Sequence, residues 1–391
     1  MKKLTFTLLS ALLLLFVSCG TKEKEAPVIA KVIETGSTPL IVLDFYKLND
    51  TLTIPLSDFV SNIEMVMLDN SNEALISPGE TIVTDNYIVV KGRGDDGRLS
   101  VKCYDKKTGK YLNRIGFNGR GPFEYNLIYD IQVDEKGNSI YILPWQSTKI
   151  LHFTLNGQPV KEIPLPYFSA KGVFKVNPDN TITVAVLPFA NNPSFVWLQD
   201  MDGNILHEIS AAPYSVGNDY SNEVYSNGNV AGTNDIYLFN FMNKRDSLYH
   251  YDYVKKELNP VFTVDYGALS ELPVHAYAEL PNHFIGDVTI MKQVGPNSWS
   301  GDQRFNYIVD KSTLKGNYCR IENDLLGSVV EPYYFGNGYY SEMYEPEILI
   351  DILTKRLEDK KIDNNLRGRI QNLLNSLTPE GNSVIIIGKL K

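Results

Sequence analysis

The chain has 391 residues, of which 43% are hydrophobic and 11% aromatic, and its formal net charge is −9. This length exceeds what one ordinary hydrophobic core requires, and the 28 glycines, 20 prolines and 24 tyrosines are typical of many short strands joined by turns. An acidic chain without a basic run lacks the phosphate contacts that supply most nucleic-acid affinity, so nucleic-acid-binding proteins are excluded as a class.

Residues 1–18 have the pattern of a bacterial export signal. Lys2 and Lys3 precede an apolar run over 4–17, which is too short for a comfortable membrane span. The letters FVSC at 16–19 resemble a lipobox, in which the cysteine receives a diacylglyceryl group before the signal is removed. We therefore predict a signal peptide over 1–18 and a lipid anchor on Cys19. The alternative is an ordinary secretory signal cut nearby, with Cys19 incidental.

Residues 19–49 are predicted to form a flexible tether, because TKEKEAP and ETGSTP are polar and contain few apolar residues. The predicted location is the cell envelope, with the protein anchored in the outer membrane. Lys22 and Lys24 interrupt the acidic residues after Cys19, so display on the cell surface is not favoured over the periplasmic side.

The segment 119–164 reads as one four-stranded unit. Its alternating apolar residues predict strands over 128–135, 139–143, 149–155 and 159–163, separated by turns such as Asn156-Gly157. A single meander of this kind leaves two open edges and an exposed apolar face. We therefore expect it to be one blade of a β-propeller.

Similar units repeat along the chain. A short third-strand motif begins at residues 103, 152, 197, 250 and 306, with spacings of 49, 45, 53 and 56 residues. A sixth unit is predicted to combine a fourth strand from 50–59 with a third strand from 382–391. This arrangement closes the ring without a free edge. The predicted fold is all-β, a six-bladed propeller over 50–391 closed by N- and C-terminal strands.

One segment has helical rather than strand periodicity. Leucines recur at four-residue steps after Pro346, and a second apolar stripe ends before Thr378-Pro379. We predict a helical insertion over 345–377 within the last blade. Cys103 and Cys319 fall in separate blades, which indicates two buried thiols rather than a disulfide.

The segment 140–157, IYILPWQSTKILHFTLNG, is similar to the NHL-type propeller repeat. Together with GRGPFEY at 119–125 and the lipobox leader, it resembles the six-bladed propeller lipoproteins of Bacteroidota that are grouped as domains of unknown function. The resemblance covers roughly residue 50 to the end and implies a fold rather than an activity. Phe123 stands where a glycine is expected in the related loop.

If the blades are as predicted, one face of the propeller collects the loops between second and third strands and the loops that enter each blade. Such faces often bind ligands, although solvated loops are the simpler interpretation for most of the residues. The candidate binding residues on this face are Arg93, Asp96, Arg120, Glu124, Tyr125, Trp145, Lys149, Arg245 and Arg304.

Two of these candidates have clear alternatives. Arg120 is expected either to pair with Glu124 and lock the loop, or to turn outward and bind an anionic group or a sugar. Trp145 is either a platform for a sugar ring or a wedge between neighbouring blades.

Metal and catalytic motifs are absent from the sequence. The five histidines have no HxH or HExxH spacing, and no nucleophile elbow, Walker loop or dinucleotide fingerprint is present. We assign no catalytic residue, no metal ligand and no cofactor. Asp95, Asp96 and Asp302 are weak candidates for Ca²⁺, because no dedicated calcium loop accompanies them.

The sequence favours a non-enzymatic binding or scaffold module that engages a protein, peptide or glycan through this face. The alternative is a propeller-type lyase or glycan hydrolase that uses carboxylates such as Asp96, Glu124 and Asp302, with or without a metal. Two carboxylates about 5–9.5 Å apart in an open pocket would favour hydrolysis. Carboxylates that are each paired with a basic group would favour binding or a structural role.

Overall fold

The structure is a computed structural model that describes residues 26–35, 37–240, 246–269, 272–295 and 298–391. These residues form a six-bladed β-propeller, so the predicted fold class is confirmed. The predicted signal peptide and Cys19 lie outside the described residues. No helix in the described ranges is long and apolar enough to cross a membrane.

The first strands along the chain build the closure and blades 1 to 3. Before the first complete blade come β1 (Ala30–Thr35), β2 (Thr38–Asp44), β3 (Thr51–Pro55) and β4 (Glu64–Met67). Blade 1 contains β5 (Glu80–Val83), β6 (Tyr87–Arg93), β7 (Leu99–Asp105) and β8 (Tyr111–Arg114). The connection to blade 2 contains β9 (Phe117–Asn118) and β10 (Glu124–Tyr125). Blade 2 contains β11 (Ile128–Asp134), β12 (Ser139–Pro144), β13 (Ser147–Thr154) and β14 (Pro159–Ser169). Blade 3 contains β15 (Gly172–Val176), β16 (Ile182–Val186), β17 (Ser194–Gln199) and β18 (Ile205–Ser210).

The remaining strands build blades 4 to 6. Blade 4 contains β19 (Glu223–Tyr225), β20 (Asp235–Phe239), β21 (Ser247–Asp252) and β22 (Glu257–Asp265). Blade 5 contains β23 (Val274–Glu279), β24 (His283–Gly295), β25 (Ser298–Asp310) and β26 (Gly316–Glu322), with the short β27 (Val329–Val330) beside it. Blade 6 contains β28 (Phe335–Gly336), β29 (Tyr339–Tyr344) and β30 (Val384–Lys389). Between β29 and β30 lie α1 (Pro346–Leu357) and α2 (Asn364–Ser376).

The predicted repeat is confirmed. The five third-strand motifs lie in β7, β13, β17, β21 and β25, each of which is the third strand of its blade. The central residues of these motifs are buried, for example Tyr104, Phe153 and Leu198. They pack into the apolar layers between neighbouring blades, so the repeat reflects one shared burial pattern.

Both ends of the chain close blade 6, but the N-terminal strand is not the one predicted. The third strand β30 pairs antiparallel with β4, with Ile385 opposite Val66. The predicted segment 50–59 instead contains β3, which pairs in parallel with β26 on the outside of blade 5. Its alternation of exposed and half-buried residues suits any outer strand, so the pattern identified the strand type but not the blade.

The predicted tether over 19–49 is wrong for residues 30–35 and 38–44. These residues form β1 and β2, and β2 extends the sheet of blade 4 by pairing in parallel with β22. Val42 and Leu43 are buried in this position. The apolar run in LIVLDF therefore packs against the propeller, and the composition of the neighbouring residues hid it.

The helical insertion is confirmed between the second and third strands of blade 6. Pro346 begins α1, and the side chain of Asp363 caps α2 by accepting the N–H of Leu366 at 2.7 Å. Leu353 and Ile370 are fully buried in the layer between blades 5 and 6. Elsewhere in the propeller, Cys103 and Cys319 are buried free thiols, as predicted.

Candidate functional site

Successive strands of each blade run in opposite directions, so their connections lie on two opposite faces of the propeller. We call the loop face the one that carries the connections between second and third strands and the connections between blades. The turn face, on the opposite side, carries the connections between first and second strands and between third and fourth strands. Most of the predicted binding residues lie in loop-face connections or near the strand ends beside them, whereas Arg304 lies in the middle of β25 and Arg245 lies outside the described residues.

Arg93 and Asp96 shape the loop between β6 and β7. The Arg93 guanidinium donates to the carbonyl oxygen of Gly97 at 2.8 Å, and the Asp96 carboxylate accepts the N–H of Arg98 at 2.9 Å. Gly97 has a φ of +71°, which closes the turn. Both predicted binding residues are therefore engaged in holding the loop.

The predicted ion pair between Arg120 and Glu124 is not formed. A carboxylate oxygen of Glu124 accepts the N–H of Gly121 at 2.7 Å, and a Cβ atom at Gly119 would collide with the same carboxylate. Glu124 therefore locks the loop through the backbone. Arg120 is exposed and makes no ion pair with any described residue, so its guanidinium is available to a partner.

Tyr125 is not available to a ligand, contrary to the prediction. Its side chain is only 1% exposed, and its hydroxyl donates to the carbonyl oxygen of Ile115 at 2.7 Å. The same hydroxyl accepts the N–H of Val101 at 3.1 Å. Burial raises the pKa of Tyr125 to about 12, which keeps the hydroxyl protonated as a bridge between blades 1 and 2.

Lys149 also has an internal role. Its ammonium donates to Glu162 Oε1 at 2.6 Å, and the same oxygen accepts the N–H of Phe123 at 3.0 Å. The bond from Lys149 and the bond from the backbone hold the pKa of Glu162 below its usual range. Phe123 has a φ of +56°, a left-handed conformation that glycine adopts more easily than phenylalanine, which gives a physical reason for the glycine expected at this position. The ring of Phe123 packs against Phe153, with centroids 5.8 Å apart.

Arg304 is held by two carboxylates and is not a free binding group. It donates to both oxygens of Asp287, at 2.9 and 2.6 Å, and to Glu331 at 3.0 Å. The bonds to Asp287 raise the pKa of the guanidinium above its usual value. This bidentate pair fixes the base of the long hairpin formed by β24 and β25, which extends past the rest of blade 5 on the loop face.

An exposed apolar patch on blade 2 was missed by the sequence analysis except for Trp145. Phe117 is 61% exposed, Leu127 53%, Trp145 37% and Phe168 53%. The N–H of Trp145 donates to the carbonyl oxygen of Leu127 at 3.1 Å. Ser147 pairs with Ser169 across β13 and β14, which brings the neighbouring Phe168 close to Trp145 along the sheet. We call these four residues and Arg120, three positions after Phe117, the blade 2 patch. In the sequence these four residues are apolar side chains between or at the ends of predicted strands, and an analysis of strand periodicity does not identify such positions.

A second group of charged residues lies at the loop-face end of the channel, where Glu80 and Glu223 begin the first strands of blades 1 and 4. Glu223 accepts the Tyr129 hydroxyl at 2.5 Å and pairs with the buried Lys171. Glu80 pairs in the same way with Lys91. None of these residues was a sequence candidate, because channel-facing positions look like ordinary strand positions.

Asp130 is the channel carboxyl with the largest change in acidity. Burial raises its pKa to about 7. Its two oxygens accept the N–H of Ile131 and the N–H of Phe174 in blade 3, both at 2.9 Å. Asp130 therefore joins blades 2 and 3 through the N–H of Phe174.

The candidate calcium ligands do not converge. Asp95 and Asp96 are in blade 1, whereas Asp302 is in blade 5. Across the described ranges, no three His, Cys, Asp or Glu side chains are close enough together to hold a metal ion. The weak calcium prediction is therefore wrong for these residues.

Comparison with known families finds one match over most of the chain. The family model described as a domain of unknown function, DUF4934, matches residues 40–389. No curated protein matches the chain.

Solved structures share the fold at low sequence identity. A candidate exported protein from Bacteroides fragilis NCTC 9343 aligns with a TM-score of 0.60 and 13% identity, covering 90% of this chain and 99% of that one. A DUF4221 protein from Bacteroides vulgatus aligns with a TM-score of 0.43 and 11% identity, covering 85% and 97%. At 13% identity, the similarity to the Bacteroides fragilis protein supports the propeller fold alone.

Proposed function

The chain belongs to the DUF4934 family, and we propose that this member is a lipid-anchored envelope protein that binds a protein, peptide or glycan through the blade 2 patch without catalysis. The observation that carries the proposal is the exposure of Phe117, Trp145 and Phe168, together with the exposed Arg120 three positions after Phe117, which makes no ion pair with any described residue. Aromatic and arginine side chains contribute most of the binding energy at many interfaces.

The basic partners of the carboxylates on this side of the propeller favour binding over hydrolysis. Asp287 and Glu331 pair with Arg304, Glu223 with Lys171, and Glu80 with Lys91. Glu124, a candidate in the enzymatic alternative, accepts a backbone N–H. By the criterion set from the sequence, basic partners on these carboxylates support binding or a structural role, so the lyase or hydrolase alternative is not favoured.

The location at the envelope is supported by the leader and by the similar exported-type protein of Bacteroides fragilis. Substitution of Cys19 tests the anchor. The Cys19→Ala variant should leave the membrane fraction, whereas the wild-type chain should stay there. A Cys19→Ala variant that remains with the membranes would contradict lipid anchoring.

Binding is tested by a thermal-shift screen of the mature chain against glycan fragments, short peptides and divalent metals. A ligand at a hundredfold excess over its Kd stabilises the folded state by about 2.7 kcal/mol. We expect a ligand whose shift disappears in Trp145→Ala and Arg120→Ala. The matched control is Ile348→Ala, which removes another exposed apolar side chain, on α1, and should keep the shift. A ligand shift that survives both patch substitutions would refute the assignment of the patch.

A further inference from the structure

The described chain begins on the turn face of blade 5. The N–H of Gly316 donates to the carbonyl oxygen of Pro27 at 3.1 Å, and the N–H of Ile29 donates to Leu314 at 3.0 Å. Between them, Val28 forms an isolated bridge with Lys315. These partners lie in the connection between β25 and β26, a third-to-fourth strand turn. The N-terminal segment therefore joins the propeller on the face opposite the loop face.

The predicted anchor is close to this point along the chain. Cys19 precedes Ala26 by seven residues, which span at most about 25 Å when fully extended. The first strand β11 has seven residues, about 23 Å at 3.3 Å per residue, and runs from one face to the other. If the seven residues from Cys19 to Ala26 passed from the turn face to the loop face, that path would take nearly all of their extended length. The short segment therefore favours a bilayer on the turn-face side for the lipid on Cys19.

One turn near this entry point has an unusual tip. Val254, in the turn between β21 and β22 of blade 4, is 74% exposed, and Lys255 and Lys256 follow it. The carboxylate of Asp252 accepts the N–H groups of Val254 at 3.0 Å and of Lys255 at 2.9 Å, which fixes the turn. The corresponding turns of the other blades have exposed polar residues: Thr108, Asn156, Asp202 and Thr313. The exposed valine is therefore not a requirement of the repeat.

We propose that the turn face of blades 4 and 5 rests on an anionic lipid surface, with Val254 and Val28 at the interface and the loop face directed away from the membrane. This inference rests on the lipid anchor of the proposed function. Val28 is 51% exposed, and an apolar tip followed by two lysines, as at Val254, suits the boundary between headgroups and acyl chains. The rest of an acidic chain is repelled by such a surface, which favours this one orientation.

The test uses the full lipidated chain, reconstituted into liposomes of phosphatidylcholine and phosphatidylglycerol that contain a quencher attached to lipid. Val254→Cys and Trp145→Cys variants are labelled with an environment-sensitive fluorophore. Cys103 and Cys319 are buried and should not react. We expect the label at 254 to be quenched several-fold more than the label at 145. Equal quenching, or stronger quenching at 145, would overturn the orientation.

Flotation of the same liposomes separates the two claims. A chain that floats but fails the quenching comparison keeps its anchor and loses the proposed orientation. A chain that does not float loses the anchor, and the orientation fails with it.

Neutralising the charge tests the lysines directly. Lys255→Gln with Lys256→Gln should weaken the contact of this face with the bilayer by about thirtyfold, since each lysine near an anionic surface contributes about 1 kcal/mol. The quenching at 254 should fall accordingly. Lys107→Gln with Lys110→Gln makes the same change on the turn face of blade 1 and should have little effect. Equal loss in both double variants would mean that the charge of the whole chain, and not this turn, sets the contact.

Discussion

His275 should make the stability of the propeller depend on pH. Its ring is buried between blades 4 and 5, with Nδ1 3.1 Å from the Tyr266 hydroxyl and Nε2 2.7 Å from the Tyr307 hydroxyl. A third ring, Tyr277, lies 4.0 Å from it, centroid to centroid. Burial lowers the pKa of His275 to about 3, so the imidazole is neutral in the folded protein throughout the usual pH range.

The sign and size of the effect follow from linkage. The unfolded chain binds a proton at this histidine below about pH 6.5, whereas the folded chain does so only near pH 3. The stabilising contribution is therefore complete above pH 6.5 and is lost as the pH falls. Each pH unit in this window lowers the free energy of unfolding by about 1.4 kcal/mol, which gives about 2.7 kcal/mol between pH 6.5 and 4.5. This is a large part of the stability of a typical domain.

Urea denaturation at several pH values between 4.5 and 6.5 measures this slope. The His275→Gln variant removes the titrating group, so its free energy of unfolding should fall less steeply with acid than that of the wild type. Tyr307→Phe is the matched control, because it disturbs the same cluster and keeps the imidazole. Its stability should drop by about 1 kcal/mol at every pH with the slope retained. Equal slopes for the wild type and His275→Gln would refute the reasoning.

Three further predictions concern packing and burial. Because Phe123 has a φ of +56°, Phe123→Gly should be more stable than Phe123→Ala by about 1 kcal/mol in urea denaturation, the reverse of the usual order. The buried carboxylate of Glu279 accepts hydrogen bonds from His250 at 2.5 Å and from Lys311 at 2.6 Å, so Glu279→Gln should lower the free energy of unfolding by about 3 kcal/mol. Lys161→Ala removes an exposed ion pair with Asp202 and should lower it by less than about 1 kcal/mol. Burial raises the pKa values of Cys103 and Cys319 to about 12, so a thiol reagent at pH 8 should modify them only after unfolding; labelling of the native chain would contradict their burial.

The blades were predictable because each one repeats the same burial problem. The third strand of every unit places a large side chain between blades, as Tyr104, Phe153 and Tyr307 do, and the turn after it follows in register. This constraint leaves a periodic signal. The strands β1 and β2 were missed because the polar residues around them suggested a tether. The strand β3 was assigned to the wrong blade because an outer strand has the same alternation on any blade, and only the three-dimensional neighbours decide the pairing.

The site was less predictable because short polar motifs do not reveal their partners. Arg304 and Lys149 looked like free cations, yet Asp287 and Glu162 reach them from other strands. Tyr125 looked like a loop residue and is a buried bridge between blades. Conversely, Phe168 was not among the candidates, because its exposure at the end of β14 depends on how far that strand extends beyond the predicted residues 159–163.

The central claim is that the blade 2 patch binds a partner without catalysis. The most direct measurement is calorimetric titration of a ligand from the screen into the wild type, Trp145→Ala and the channel variant Glu223→Gln, followed by product analysis of the mixture. The account predicts that binding is lost in Trp145→Ala, is kept in Glu223→Gln, and leaves the ligand intact. Binding that depends on Glu223 but not on Trp145, or cleavage of the ligand, would contradict it.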